Sequence, residues 1–334
     1  MSSIDVVIPN YNYGRFLRDC VRSVQAQAVE NLRILIIDNA SSDDSLEIAR
    51  SLAAEDSRIE IIARKVNKGL HASFNEGIDW ASAEYLTILH ADDLLAAGAL
   101  KRAMDCLDRY PSVAMTCGRT VRHDEEIRDA RLGSDWRIET GESFISQRCR
   151  TAHNTVACCG VVIRTSAQKI AGHYDEGLSF APDLEMWLRL ARLGDVARTS
   201  ATQGFVRVHA DNASAYTRER LAPELEAVEL SFETFFAKEN AKGRDVSHLR
   251  AQVQRSIAER AYWAALAHLV RGSFTGGWEL ARLALRRRSR MILIPPVGYI
   301  LRRQDGIRRI GQVVLEAKER RFGAQWQRSG NGTS

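Results

Sequence analysis

The sequence of 334 residues lacks any apolar run near the roughly 20 residues that a helix needs to span a bilayer. The best candidate, Met291–Val297, is short and contains Pro295 and Pro296. We therefore predict no transmembrane helix. The first residues run directly into a strand-like segment at 4–8, which leaves no room for a signal peptide. These absences predict a protein that starts in the cytoplasm.

Cysteine spacing typical of metal binding is also missing. The six cysteines show no C-x-x-C spacing: Cys20, Cys106, Cys117, Cys149, Cys158 and Cys159. The adjacent pair Cys158 and Cys159 has poor geometry for either a zinc site or a routine disulfide. We expect six free thiols that are mostly buried.

Charge is distributed unevenly along the chain. Residues 1–240 carry 28 Lys and Arg against 36 Asp and Glu, whereas residues 241–334 carry 19 against 6, a net charge of +13. A basic C-terminal part favours an anionic partner, either phospholipid head groups or nucleic acid. The hydrophobic content of 45% is sufficient for a globular core.

Strand-like and helix-like patterns alternate in the N-terminal third of the chain. Strands are predicted at 5–8, 32–37, 59–63 and 85–89, and helices at 15–28, 44–54, 70–81 and 100–110. This alternation predicts an α/β fold with a doubly wound, mostly parallel sheet whose loops meet at its carboxyl edge. Further strands are expected at 113–117 and 154–163, and a C-terminal helical extension at 221–238, 246–270, 274–288 and 302–321.

Four polar loops follow the predicted strands at this edge. They contain Pro9, Asn10 and Tyr11; Asp38; Asn67, Lys68 and Gly69; and His90, Asp92 and Asp93. Amide and aromatic groups suit a planar base, a strand-end carboxylate suits a ribose hydroxyl or a base N–H, and an ammonium group beside glycine suits phosphate. Each loop taken alone is equally consistent with an ordinary connecting turn.

Asp92 and Asp93 are adjacent carboxylates at the end of a predicted buried strand. Two such groups repel each other and lose solvation, so the pair is costly unless a cation or an array of donors is expected there. The alternative is that Asp93 caps a helix that begins near Ala97 while Asp92 lies in a turn.

Taken together, Val7–Asn12, Ile36–Asp43, Asn67–Gly69 and Leu89–Asp93 resemble the motifs of family 2 glycosyltransferases with the A-type fold. The resemblance extends over residues 4–215. It implies a nucleotide-sugar site with Pro9, Asn10, Tyr11 and Asp38 at the base and ribose. Asn67, Lys68 and Gly69 would lie near the nucleotide, and His90 and Asp92 occupy the family's Asp-X-Asp motif.

The resemblance also implies a divalent metal ion, Mg²⁺ or Mn²⁺. Asp92 would bind it, with His209 of the segment Arg207–His209 touching the metal or the diphosphate. His90 stands where the family has its first acid, and a neutral imidazole can bind a metal but brings no negative charge. A lone histidine such as His209 is otherwise more often structural.

The resemblance assigns the general base to Asp183, because Asp183 matches the Asp of the family's Glu-Asp motif before an apolar helix, although Pro182 stands in place of the Glu. The pattern alone equally fits Asp183 as the N-cap of that helix. Glu185 is the fallback base, although an acid in the first turn of a helix is also simply favourable there.

These inferences predict an inverting glycosyltransferase that moves a sugar from a nucleotide diphosphate donor to an acceptor hydroxyl in cell-envelope or extracellular glycan synthesis. One alternative is a non-catalytic binding module with the same fold, motivated by His90. A sugar-phosphate nucleotidyltransferase is the other, but it would need a glycine-rich basic loop that residues 9–14 lack.

The predicted domains are a catalytic domain over 1–218, a helical basic extension over 219–328 and a disordered tail over 329–334. Within the first, 1–118 would bind the nucleotide sugar and 119–218 would form the acceptor side. Expected partners are the donor, a glycan or lipid-linked acceptor and an anionic membrane surface, with no nucleic acid. The apolar segment Met291–Val297, flanked by arginines, predicts peripheral attachment to the inner face of the cell membrane.

Overall fold

The structure is a computed structural model, which describes residues 2–123, 133, 135–209, 221–288, 295–296 and 298. The chain divides into two compact units. The first comprises Met1–Arg148 with Asn154–Asn212, and the second comprises Cys149–His153 with Ala213–Ser334. The predicted boundary at residue 218, the predicted helix at 302–321 and the tail at 329–334 lie outside the described residues.

The first unit alternates strands and helices as far as α4. The elements are β1 (Ile4–Asn10), α1 (Gly14–Gln25), β2 (Leu32–Asp38), α2 (Ser45–Glu55), β3 (Ile59–Ala63), α3 (Leu70–Trp80), β4 (Tyr85–Ile88), β5 (Leu94–Leu95) and α4 (Ala99–Arg109). They are followed by β6 (Val113–His123), β7 (Trp136–Glu139), α5 (Gly141–Thr151), β8 (Val162–Arg164), α6 (Thr165–Ala171), α7 (Pro182–Ala191) and β9 (Asp195–Arg207).

The strands form one sheet with the order β3-β2-β1-β4-β8-β6-β9-β5, and β7 also pairs with β9. Among the described strands, β1, β2, β3, β4, β6 and β9 run in one direction, while β5, β7 and β8 run in the other. The structure therefore confirms the predicted α/β class and the mostly parallel sheet.

Strand β1 lies inside the sheet and is buried along its whole length. Val6 and Ile8 belong to the core cluster that includes Leu17 and Val21 of α1. On the other face, Gly77 of α3 lies so close to β1 that a Cβ atom there would be 2.4 Å from Cγ1 of Val7. Helices thus cover both faces, and the polar strand ends are left at the carboxyl edge.

The second unit contains α8 (Leu221–Ala241), α9 (Ser247–Val270) and α10 (Phe274–Arg287). Its buried side chains include Phe232, Phe235, Val253, Ile257 and Leu280. This confirms the predicted C-terminal helical extension. No helix among the described residues has the length and hydropathy required of a membrane span.

One sequence prediction is wrong. A strand was expected over 154–163, but only Val162 and Ile163 of that range lie in a strand, β8. The backbone turns at Gly160, which has φ of 77°, and the amide of Val161 donates to the Cys158 carbonyl at 3.1 Å. The carbonyl of Val156 instead accepts from the indole of Trp187 at 3.3 Å.

Candidate active site

The first pair of predicted site residues meets at the ends of β1 and β2. Asn10 and Asp38 are opposite each other in the parallel register, and Asn10 Nδ2 donates to Asp38 Oδ1 at 3.0 Å. The second oxygen of Asp38 accepts from the amide of Ser41 at 3.1 Å. Both side chains are buried, whereas the adjacent Tyr11 is 46% exposed. Pro9 is buried within β1. A fixed amide–carboxylate pair therefore lies beside an accessible aromatic ring.

The loop after β3 is tied to the loop after β2 through Asn39. Its Nδ2 donates to Asn67 Oδ1 at 2.8 Å, and its Oδ1 accepts from the amide of Lys68 at 3.0 Å. Arg64 Nη1 donates to the same oxygen of Asn39 at 3.0 Å. Gly69 has φ of 84°, a conformation that glycine adopts without strain. Asn67, Lys68 and Gly69 are all exposed, so their polar groups can reach a ligand.

Beyond β4, the side chains of His90, Asp92 and Asp93 converge. Each offers a potential metal-binding atom, and these three atoms lie within 4.8 Å of one another. The ring of His90 stacks on Phe74 of α3, with centroids 5.6 Å apart and planes 1° apart. Its Nε2 is buried and has no hydrogen-bond partner among the described residues. An imidazole with an unpartnered nitrogen in a group with two carboxylates is suited to binding a cation.

The electrostatics of this cluster also favour a bound cation. Burial, and then the neighbouring charge of Asp92, raise the pKa of Asp93 well above its usual value. The amide of Arg207 partly offsets this by donating to Asp93 Oδ1 at 3.2 Å. A bound cation would remove the repulsion between the carboxylates, so the donor set fits a divalent ion with mixed oxygen and imidazole ligands.

His209 joins the cluster from the end of β9. Its Nε2 lies 3.1 Å from Oδ2 of Asp92. Its ring packs against Phe16 and Tyr13 of the first loop and helix, at centroid distances of 4.9 and 5.4 Å. Arg207 donates from Nε to the Asp92 carbonyl at 3.2 Å and lies over the Phe16 ring. The segment Arg207–His209 therefore contacts the acidic cluster directly.

Asp183 lies in the first turn of α7, which begins at Pro182. It is not the N-cap, because that position is taken by Ala181 with φ of 51°. Asn154 Nδ2 donates to Asp183 Oδ2 at 2.8 Å. Burial raises the pKa of Asp183, while hydrogen bonds from Leu184 and Asn154 and the charge of His90 partly oppose the rise. Asp183 is thus within electrostatic reach of the His90 cluster.

Glu185 has a different environment from Asp183. It is fully buried, and both of its oxygens accept from Arg189, at 2.7 to 3.0 Å. Arg189 Nη2 also donates to the His173 carbonyl at 2.8 Å. Both oxygens of Glu185 are therefore engaged by Arg189, which also links α7 to the preceding loop.

Sequence reasoning missed several residues of the site. Asp93 was considered as a partner of Asp92 beside a cation or as a helix cap, but no site role was assigned to it; its carboxylate belongs to the metal-compatible cluster, and α4 begins only at Ala99 after Gly98. Its adjacency to Asp92 was the available signal. Phe74, Asn39 and Asn154 carried no signal of their own, since a buried aromatic ring and loop asparagines are common.

Comparison with known proteins relates this chain to a protein family. Residues 5–170 match the model of "Glycosyl transferase family 2". Curated relatives include glycosyltransferase GlyG of Streptococcus pneumoniae, 35% identical over 92 residues, and chondroitin synthase of Escherichia coli, 27% identical over 195 residues. These matches cover 28% and 57% of this chain but only 31% and 27% of the two relatives. A third relative is GalNAc(5)-diNAcBac-PP-undecaprenol beta-1,3-glucosyltransferase of Campylobacter jejuni, at 33% identity over 34% of its length.

Solved structures agree on the fold. TarS of S. aureus in complex with UDP-GlcNAc superposes with a TM-score of 0.56 at 14% identity, covering 87% of this chain and 92% of TarS. The mannosyltransferase PcManGT of Pyrobaculum calidifontis, in complex with GDP-Man and Mn²⁺, gives 0.53 at 16% identity, with 86% and 87% coverage. At these identities the likeness shows the fold alone.

Proposed function

Residues 5–170 of this chain are a glycosyl transferase family 2 domain, and from this premise we propose an inverting transferase that uses a nucleotide diphosphate-sugar donor. The sugar moves to a hydroxyl of the acceptor. The observation that carries the proposal is the convergence of His90, Asp92 and Asp93 at the sheet edge, with Asp183 in electrostatic reach. Such a set can serve both the leaving diphosphate and the attacking hydroxyl.

The donor nucleotide is assigned to the loops after β1, β2 and β3. Tyr11 is exposed enough to stack on a base, and the Asn10–Asp38 pair offers groups for the base or ribose. The exposed Lys68 ammonium group suits phosphate oxygens, and Gly69 beside it leaves room for them. That the TarS neighbour was solved with UDP-GlcNAc supports this class of donor.

The proposed cofactor is a divalent ion, Mg²⁺ or Mn²⁺. Asp92, Asp93 and His90 would hold it, with His209 beside Asp92. When bound, such an ion stabilises negative charge on the leaving diphosphate. The Mn²⁺ complex of the PcManGT neighbour supports this assignment.

Asp183 acts as the general base in a single displacement at the anomeric carbon. The acceptor oxygen bonds to that carbon, the bond from the carbon to the diphosphate oxygen breaks, and the hydroxyl proton passes to Asp183. Because burial raises the pKa of Asp183, its carboxylate is a stronger base than an exposed Asp. Asn154 orients it through the hydrogen bond to Oδ2.

The acceptor is proposed to be a glycan or a lipid-linked glycan, on the inner face of the cell membrane. The undecaprenol-linked substrate in the name of the Campylobacter relative and the net charge of +13 over residues 241–334 support this class. The apolar segment Met291–Val297, on which the sequence prediction of attachment rested, lies mostly outside the described residues.

Sugar release from a panel of UDP- and GDP-sugars, with Mn²⁺ and with a chelator, tests the enzymatic proposal. We expect metal-stimulated hydrolysis of one donor and faster turnover when an acceptor is added. The substitution of the family's first acid by His90 favours one competing function, a binding module without catalysis. Tight nucleotide-sugar binding with no turnover under any of these conditions would support that module and refute the transferase.

A further inference from the structure

The turn between α9 and α10 exposes a group of large apolar side chains. Leu266, Leu269 and Val270 at the end of α9 are 37 to 44% exposed, and Phe274 and Trp278 of α10 are 72% and 71% exposed. We call these five residues the hairpin-tip surface. Two aromatic side chains this exposed, four residues apart on one helix, are unusual for a surface that only water contacts.

Well-defined contacts hold the two helices together at this tip. The amide of Ser273 donates to the His268 carbonyl at 2.9 Å, and the turn contains Gly272 with φ of 81°. Gly277 allows a close approach, because a Cβ atom there would lie 2.8 Å from Cγ and Cδ2 of Leu269. The exposed aromatics are therefore presented by a packed hairpin.

The two faces of α10 have opposite characters. Gly277, Leu280 and Ala284 are buried against the rest of the helical unit. The opposite face carries Phe274, Trp278, Arg282 and Arg286 at successive intervals of four residues. Aromatic rings thus stand at one end of the exposed stripe and guanidinium groups at the other.

The arginines of the stripe are available for an external partner. Arg282 and Arg286 are exposed and make no ion pair within the part of the chain that the structure describes. Arg287, by contrast, is bound to Glu229, with Nε 2.7 Å from Oε1. Glu279 is the one acid within α10. The stripe therefore adds positive charge beside the aromatic pair.

We propose that the hairpin-tip surface inserts into the interface of an anionic phospholipid bilayer. Phe and Trp lie favourably at the boundary of head groups and acyl chains, while arginines four and eight residues further along remain at the anionic head groups. The net charge of +13 over residues 241–334 is complementary to such a surface. A second copy of this chain would bring the same positive charge to the interface, so an anionic lipid surface is the better fit. This surface does not depend on whether the sheet domain transfers sugar.

Flotation of the full chain with lipid vesicles tests the proposal. We expect binding to vesicles of phosphatidylcholine with phosphatidylglycerol, and much weaker binding to phosphatidylcholine alone. The double variant Phe274→Ala/Trp278→Ala should bind at least about tenfold more weakly. Leu230→Ala is the matched control, because Leu230 is an exposed apolar residue of the same unit, at 51% exposure, outside the tip.

A pair of charge-reversal variants tests the contribution of Arg282 separately from that of the aromatic residues. Arg282→Glu and Lys242→Glu change the net charge equally at exposed positions of the helical unit. We expect the first to weaken binding to anionic vesicles several-fold more than the second. Circular dichroism of each variant should show an unchanged Tm, since all these side chains are exposed.

Three outcomes would overturn the proposal. The wild-type chain could fail to float with anionic vesicles, or the double aromatic variant could float as the wild type does. Alternatively, sedimentation without lipid could show a wild-type dimer that Phe274→Ala/Trp278→Ala converts to a monomer, which would assign the surface to a second copy of this chain.

Discussion

Asp183 is partly buried, and its carboxylate is oriented by Asn154, with Oδ2 2.8 Å from Nδ2. Asp183→Asn keeps the size of the side chain but removes its ability to take a proton. We expect turnover to fall by roughly 10²- to 10⁴-fold, with donor affinity close to wild type. Steady-state kinetics and nucleotide titration check this. Unchanged turnover with weaker donor binding would instead make Asp183 a binding residue.

The raised pKa of Asp183 also predicts how kcat/KM depends on pH. A general base works in its deprotonated form, so kcat/KM should fall as the pH drops through the folded-state pKa of Asp183. Because burial raises that pKa, the acid limb should lie above the ordinary value of 3.8. A pH profile of kcat/KM measures this limb, and Asp183→Asn is the control in which the limb should disappear. An identical limb in that variant would assign it to another group.

At the scale of single residues, the sequence pointed to residues that form a motif. It did not point to residues whose contacts form only when distant segments fold together. Roles were predicted for His90, Asp92 and Asp183 because their spacing resembles a family pattern. Asn154 could not, because its bond to Asp183 joins a segment before β8 to the start of α7, and sequence distance says nothing about that contact. Glu185 was only the fallback base, and the sequence could not show that Arg189 contacts its carboxylate.

Among the secondary-structure elements, the buried strands were the easiest to predict. The sequence placed β2, β3 and β4 within one residue of their observed ends because apolar runs bounded by turn residues leave few alternatives. The segment 154–161 has a similar apolar content, yet the carbonyls of Val156 and Val161 accept from the side chains of Trp187 and Thr87 and not from the backbone of a neighbouring strand. The hydrophobic pattern alone does not distinguish a buried strand from a buried segment whose carbonyls bond to side chains.

Helix α3 links the loop after β3 to the segment that leads to α7. Its Asn75 accepts from the amide of Tyr174 at 2.7 Å and donates to the carbonyl of the same residue at 3.2 Å, and both residues are buried. Asn75→Ala leaves two buried backbone groups unsatisfied. We expect it to lower the free energy of unfolding by about 2 to 4 kcal/mol, measured by urea denaturation.

Tyr174→Phe is the matched control for this element. Its hydroxyl is buried and has no hydrogen-bond partner among the described residues, so its removal should cost little. The backbone bonds to Asn75 are retained in this variant. A loss of stability in Tyr174→Phe as large as that in Asn75→Ala would show that the two backbone bonds are not the main contribution.

For the whole molecule, the sequence revealed the charge asymmetry, because charged residues can be counted without knowing the structure. It did not reveal the hairpin-tip surface, since α10 carries large apolar residues on both of its faces. Leu280 and Leu283 are buried, whereas Phe274 and Trp278 are exposed, and only packing against α9 decides which set faces inward. The basic charge and the exposed aromatics meet on the same helix, a combination that composition alone could not locate.

Ligand binding should stabilise the full chain in a way that tests the metal assignment. Nucleoside diphosphate at about 100 times its dissociation constant contributes about 2.7 kcal/mol to the stability of the unit that binds it. If the His90, Asp92 and Asp93 cluster holds a divalent ion that the diphosphate also contacts, Mn²⁺ should raise the Tm further, and more in the presence of nucleotide than without it. Calorimetry of the full chain measures both increments.

Asp92→Ala should remove the Mn²⁺-dependent increment while keeping most of the nucleotide-dependent one, because Asn10, Asp38 and Lys68 are untouched. Glu30→Ala, at an exposed acid in the loop before β2, is the control for the loss of one negative charge. Removal of Asp92 relieves its repulsion of Asp93 but also removes its contact with His209, so the readout is the Mn²⁺-dependent increment and not the stability of the metal-free variant. Persistence of the full Mn²⁺ increment in Asp92→Ala would place the ion elsewhere and leave the acidic cluster without a metal role.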